Sequence, residues 1–164
     1  MSKVVLKLAD DVSTDIIYPG RFMATVLPLE TPQYAFADLV DFNAQMNKKE
    51  FQPNSVIVAG RNFGCGSSRE QAASCLKGSD FIVIARDFAR IFLQNSINLG
   101  LNTIICPDIE ADEGDELKIT STQVVNQTSG KTFGIVPLPR ARQAIIDAGG
   151  LIPYTRQRLL SAEK

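Results

Sequence analysis

Histidine is absent from the 164 residues, and so is tryptophan. Without an imidazole the chain lacks the side chain that most often serves as a general base near neutrality and most often ligates a metal. Cysteine occurs only at 65, 75 and 106, an odd count with no CxxC spacing. That pattern argues against a disulfide framework, a zinc ribbon and a dithiol redox motif. No apolar run approaches the roughly 20 residues that a membrane span needs. Asp10 and Asp11 arrive where the apolar stretch of a signal peptide would continue, so a cytoplasmic protein with no membrane association is expected. A net charge of −1 offers no positive excess for nucleic acid.

What remains is globular: 45% hydrophobic and 21% charged residues, enough apolar surface for a core. The length fits a single domain, 1–164. Val4 to Leu8 reads as a short β-branched strand, followed by a polar loop at Asp10, Asp11, Ser13 and Thr14. Pro19-Gly20 is a strong turn dipeptide, and 21–34 reads as a long irregular loop of the kind that often carries function. Apolar residues at helical spacing predict a helix over Ala35–Met46.

Ser55–Ala59 and Phe81–Ala85 are continuous apolar runs that read as buried strands, and Asn102–Cys106 reads as a third. Between them lie helical patterns ending at Gly78 and at Gly100, the second running over Asp87–Asn98. Strand–helix–strand–helix–strand is the signature of a parallel sheet with right-handed crossovers. The fold class is therefore α/β, a mostly parallel βαβ core. Six acids between 108 and 116 read as an exposed acidic turn, because their spacing matches no calcium-loop signature. Residues 117–120, 123–126 and 131–136 read as a C-terminal β-meander, Arg140–Gly149 as a helix, and Leu151–Leu160 as a strand then helix or a helical tail.

Chemistry concentrates in Gly60-Arg61-Asn62-Phe63-Gly64-Cys65-Gly66-Ser67-Ser68-Arg69-Glu70. Glycines at 60, 64 and 66 separate a buried strand from a helix start, whose free N–H groups and dipole attract anions. Ser67 and Ser68 add hydroxyls, and Arg69 adds a planar fork matched to carboxylate or phosphate. Ser67 with Glu70 three positions on also fits a capping box. Two readings stand side by side: an anion pocket, or an ordinary glycine-rich turn capped by Ser67. The spacing is neither that of a P-loop nor that of a dinucleotide-binding loop.

The same string, continued through Gln71 and Ala72, resembles the GxNFGCGSSREHA signature of the aconitase superfamily, and within it the small subunits of 3-isopropylmalate dehydratase and their relatives. Asp11-Val12-Ser13-Thr14-Asp15-Ile16-Ile17-Tyr18-Pro19-Gly20-Arg21-Phe22-Met23 resembles the family's opening block. Ile84 to Phe92 and Asn95 to Gly100 resemble its third. Gln71 stands where the family usually has histidine.

The resemblance implies a swivelling β/β/α domain that closes over a 4Fe–4S cluster held by a separate large subunit, in a heterodimer or heterotetramer. No metal or cofactor would bind in this chain. It implies Ser67 as the base, Asp15 as its supporting acid, and Gly66, Ser68, Arg69 and Arg21 as groups binding a small hydroxy-dicarboxylate. It also implies that the residue after Phe22-Met23, Ala24, faces the substrate's side group. An uncharged small residue there favours an apolar substituent, as in isopropylmalate. The alternatives are a dehydratase of 2,3-dimethylmalate, citraconate/methylmalate or homoaconitate, or a carboxylate-binding module without catalysis.

Overall fold

The computed structural model describes residues 1–162. Strands β1 (Ser2–Lys7), β2 (Val56–Ala59), β3 (Ile82–Ala85) and β4 (Asn102–Ile105) lie parallel in the order β4-β3-β2-β1. Strand β5 (Glu116–Ile119) pairs antiparallel with the other edge of β1. Strands β6 (Gln123–Asn126) and β7 (Thr132–Gly134) extend it as a meander. The result is one mixed seven-stranded sheet, with the expected parallel core and C-terminal meander. The sheet curls until its ends touch: Val136, just beyond β7, donates its N–H to the carbonyl of Ile105 at 2.9 Å.

The continuous apolar runs follow from burial on both faces. Val56 to Ala59 and Ile82 to Ala85 are buried throughout, and successive side chains point to opposite faces of a strand. Ile57, Ala59, Val83 and Ala85 face the helices, in a core with Ala72, Leu76 and Phe92. Val56, Val58, Ile82 and Ile84 face the curled meander, in a second core with Leu117, Val124 and Phe133.

Among the described residues there are six α-helices: α1 (Thr14–Ile17), α2 (Val40–Asn47), α3 (Glu70–Gly78), α4 (Arg90–Leu99), α5 (Arg140–Asp147) and α6 (Leu151–Ala162). Three expectations need correction. Helix α2 starts at Val40 and not at Ala35. The N–H of Phe36 is bonded to the carbonyl of Ile17 at 2.8 Å and its φ is 50°, which takes 35–39 out of helical geometry. Helix α4 starts at Arg90 and not at Asp87, because Phe88 and Ala89 pair with Phe63 in the glycine-rich loop. Ser67 does not cap α3: the N-cap is Arg69, in extended geometry without a side-chain cap bond.

The C-terminal segment is the helical tail of the two alternatives. The acidic run is tied down by charge pairing, Asp112 to Lys7 and Glu110 to Lys131, and Asn126 donates to Asp115 at 2.7 Å. Among the described residues no group of three or more acids or cysteines is placed to hold a metal ion, and no helix is long and apolar enough to cross a membrane.

The loop before α3 is wedged against α4 by aromatic packing. The rings of Phe63 and Phe92 meet edge-to-face at 5.2 Å, and Phe88 joins at 5.9 Å from Phe63. Gly64 passes directly over this cluster with φ 81°, and a Cβ there would lie 2.2 Å from Cγ of Phe92. Gly64→Ala therefore combines left-handed strain with overpacking. It is expected to lower stability by about 2–5 kcal/mol, read as a fall in the urea midpoint of the purified chain.

Candidate active site

Adjacent parallel strands end on the same side, so the loops after β1, β2 and β3 meet at one edge of the sheet, where open α/β sheets place their ligands. Backbone bonds stitch the three loops together. Gly64 donates to Val12 and Thr14 to Cys65, each at 2.8 Å, and Ala89 donates to Phe63 at 2.9 Å. Three acids serve this scaffold. Asp10 accepts from the N–H of Arg61 at 2.7 Å, Asp87 from that of Asn62 at 2.6 Å, and Asp11 from the side-chain amide of Asn62 at 2.8 Å. The polar loop after β1 is thus a clamp on the glycine-rich loop.

Gly66, with φ 88°, turns the chain out of that clamp. The hydroxyl of Thr14 then donates to the carbonyl of Ser67 at 2.8 Å. This pins the backbone of Ser67 and leaves its side chain outside any cap. Ser67 and Ser68 are exposed, while Arg69 is mostly covered. The guanidinium of Arg69 donates through one nitrogen to Asp15 and, at 3.2 Å, to the carbonyl of Tyr18. Asp15 also accepts from the N–H of Gly20 at 2.9 Å. The Arg69 hydrogen bond first, and the Gly20 N–H second, hold the Asp15 carboxyl below its ordinary range.

A cavity of about 260 Å³ opens at this point, lined by Thr14, Gly64, Gly66, Ser67, Ser68 and Arg69 on one side. Ala89, Arg90, Ile91, Phe92 and Asn95 of the α4 region line the other. The sequence singled out the first side and missed the second. The signal was available in the βαβ order, which makes the loop after β3 a neighbour of the loop after β2. Fixed donors, a guanidinium and free hydroxyls beside a small apolar wall suit a carboxylate-bearing molecule with an alkyl portion. A larger groove of about 580 Å³ runs past Lys7, Arg86 and Lys131, but both of its lysines are already paired with acids.

The remaining site residues lie outside the cavity. Arg21 pairs with Asp38 and stacks over the ring of Phe22 at 4.6 Å. Ala24 is exposed on the 21–34 loop. That loop is built, not irregular throughout. It contains 3-10 turns at Gly20–Phe22 and Thr31–Tyr34, and Phe22 and Tyr34 stack at 4.3 Å. Tyr18 donates to the carbonyl of Phe22 at 3.2 Å. Gln71, in the first turn of α3, donates to the carbonyl of Met23 at 3.4 Å and ties the loop to the helix that follows Arg69. Cys75 and Cys106 are buried and Cys65 is half-buried. Burial pushes the Cys106 thiol up to about 11 and raises Cys75 further.

Residues 28–108 match the model of the aconitase C-terminal domain family. The 3-isopropylmalate dehydratase small subunit of Methanosarcina mazei is 46% identical, covering 92% of this chain and 93% of its own. The isopropylmalate/citramalate isomerase small subunit of Methanocaldococcus jannaschii is 39% identical over 97% of this chain and 95% of its own. A crystal structure of 3-isopropylmalate dehydratase from Methanocaldococcus jannaschii superposes with a TM-score of 0.87 at 38% identity, covering 98% of this chain and 96% of that one.

The Asp15–Arg69 pair gives the site a pH signature. A carboxyl whose folded pKa lies below its ordinary value of 3.8 stabilises the fold above that value. The contribution disappears as pH falls through the lower folded value. Asp15→Asn is expected to lower the urea midpoint between pH 5 and 7, and the gap to wild type is expected to close on acidification below pH 3.8. A gap independent of pH would show that the charge of Asp15 does not hold the loop.

Proposed function

The chain belongs to the family of 3-isopropylmalate dehydratase small subunits, and from that premise we propose that it forms half of a hydro-lyase interconverting 2- and 3-isopropylmalate in leucine biosynthesis. The observation that carries the reading is the cavity in which Ser67, Ser68 and Arg69 converge. The whole chain, 1–164, acts as one domain in the cytoplasm and works with a large subunit that bears a 4Fe–4S cluster. When bound there, the cluster supplies the Lewis acidity that isomerisation of a hydroxy acid calls for. The residues of this chain do not fit as its ligands: Cys65, Cys75 and Cys106 sit in separate elements, two of them buried.

In this proposal Ser67 is the base. Free of capping duty and ionised to the alkoxide by loss of its hydroxyl proton to solvent, its oxygen takes the proton from the substrate carbon next to a carboxylate, becoming the hydroxyl, and returns it when water is added back. The charge on its oxygen is stabilised by the guanidinium of Arg69 and by the N–H groups of the first turn of α3. Ser68, Gly66 and Arg69 hold a carboxylate, and Asp15 keeps Arg69 in place. Arg21 stands in reserve for the substrate, held in the free subunit by Asp38.

Substrate choice is assigned to Ala24. The residues flanking it are anchored to the active face, Gly20 to Asp15 and Met23 to Gln71. A small apolar side chain leaves room for a branched alkyl group, worth about 0.8 kcal/mol per buried CH₂. It offers no charge to a distal carboxylate, whose unpaired burial costs several kcal/mol in order of magnitude. The relative named for citramalate as well as isopropylmalate supports a site that also accepts a methyl group.

The test is turnover by the anaerobically co-purified two-subunit enzyme against a panel of hydroxy dicarboxylates. Isopropylmalate is expected to give the highest kcat/KM, and preference for homoaconitate would overturn the substrate assignment. Ser67→Ala is expected to lower kcat by on the order of 10²–10⁴-fold with KM little changed, so near-normal kcat would move the base elsewhere. Ala24→Arg is expected to shift kcat/KM away from isopropylmalate and toward homoaconitate; an unshifted ratio counts against Ala24.

A further inference from the structure

We infer that Arg90, at the first turn of α4, is the second anion receptor of this site and binds the substrate carboxylate that Arg69 does not. The inference rests on the proposed reaction, which takes a substrate with two carboxylates. Four ion pairs join the described residues, and they commit Lys7, Arg21, Arg69 and Lys131 to acids. Arg90 is in none of them, although it lines the same 260 Å³ cavity as Ser67, Ser68 and Arg69.

Charge balance makes the difference decisive. Asp15 already neutralises Arg69, so that pair contributes no net charge to the cavity. A dianion entering there would meet fixed dipoles and hydroxyls but no uncompensated cation. Arg90 supplies that cation from the opposite wall, and a guanidinium can take a carboxylate through two parallel hydrogen bonds. Its neighbours fit the rest of such a molecule: Ile91 and Phe92 give an apolar surface, and Ile91 is half-exposed at the cavity mouth. An alkyl-substituted dicarboxylate lying between Ser67–Arg69 and Arg90–Phe92 would place one carboxylate at each arginine and its alkyl group against Ile91.

The experiment uses the two-subunit enzyme carrying Arg90→Gln, with Arg90→Lys beside it. Arg156→Gln on α6 serves as a control that removes the same charge outside the site. Arg90→Gln is expected to raise KM for isopropylmalate on the order of 10- to 100-fold, the range for loss of a charged hydrogen bond, with kcat changed much less. Arg90→Lys is expected to recover part of the loss, and Arg156→Gln to leave KM as it was. Thermal protection by malonate, an unreactive dicarboxylate, is expected in wild type and lost in Arg90→Gln.

An unchanged KM in an active Arg90→Gln enzyme overturns the inference and leaves the proposed reaction standing. A defect that vanishes at excess large subunit also overturns it, by assigning Arg90 to subunit contact. A wild-type enzyme inactive on every dicarboxylate overturns the reaction and this inference together.

Discussion

Everything at the site depends on the hydrogen bonding of three loops that leave neighbouring parallel strands. Gly64 to Val12, Thr14 to Cys65 and Ala89 to Phe63 are backbone bonds, so they are indifferent to side-chain identity. They require only that β1, β2 and β3 be adjacent and point the same way. Once they form, Ser67 and Arg69 from one loop, Asp15 from a second and the start of α4 from a third fall within one small volume. Asp10 and Asp11 of the polar loop and Asp87 after β3 close the arrangement from outside by accepting the N–H groups and the side-chain amide that the glycine-rich turn leaves open.

The rigidity of that turn comes from packing. Phe63, Phe88 and Phe92 bury aromatic surface under it, and Gly64 is the contact point where backbone replaces side chain. Beneath, the parallel strands are apolar on both faces because the sheet curls back on itself. The meander covers one face and α3 and α4 cover the other. A flat sheet with helices on one side would leave Val56, Val58, Ile82 and Ile84 in water. The curl is therefore a condition for the apolar strands that hold the loops.

Charge is distributed with the same economy. Arg69 and Arg21 are each held by an aspartate from the 15–38 region, which fixes their positions and spends their charge. Fixing an arginine before its ligand arrives lowers the entropic cost of binding, but it leaves the cavity near neutrality unless another cation stands by. Arg90 fills that place. The arrangement divides two tasks, orientation by a paired arginine and attraction by an unpaired one.

The sequence by itself determined the succession of strands and helices along the parallel core, the position of the glycine-rich turn, the helix ends at Gly78 and Gly100, and the family resemblance. These are local matters: apolar runs, glycine placement and a motif of contiguous residues carry them without reference to distant contacts. It also named Gly66, Ser67, Ser68 and Arg69 as one group, since they are consecutive. Tertiary structure alone decided that Phe36 leaves helical geometry to meet Ile17 and that α4 begins three residues late. It also decided that Ser67 is not a cap, and that Arg90 and Ile91 share the cavity while Arg21 is turned to Asp38. Each of these rests on a hydrogen bond, ion pair or packing contact between segments far apart in the chain. Such contacts override local propensity because they satisfy groups that the local conformation would have left unpaired.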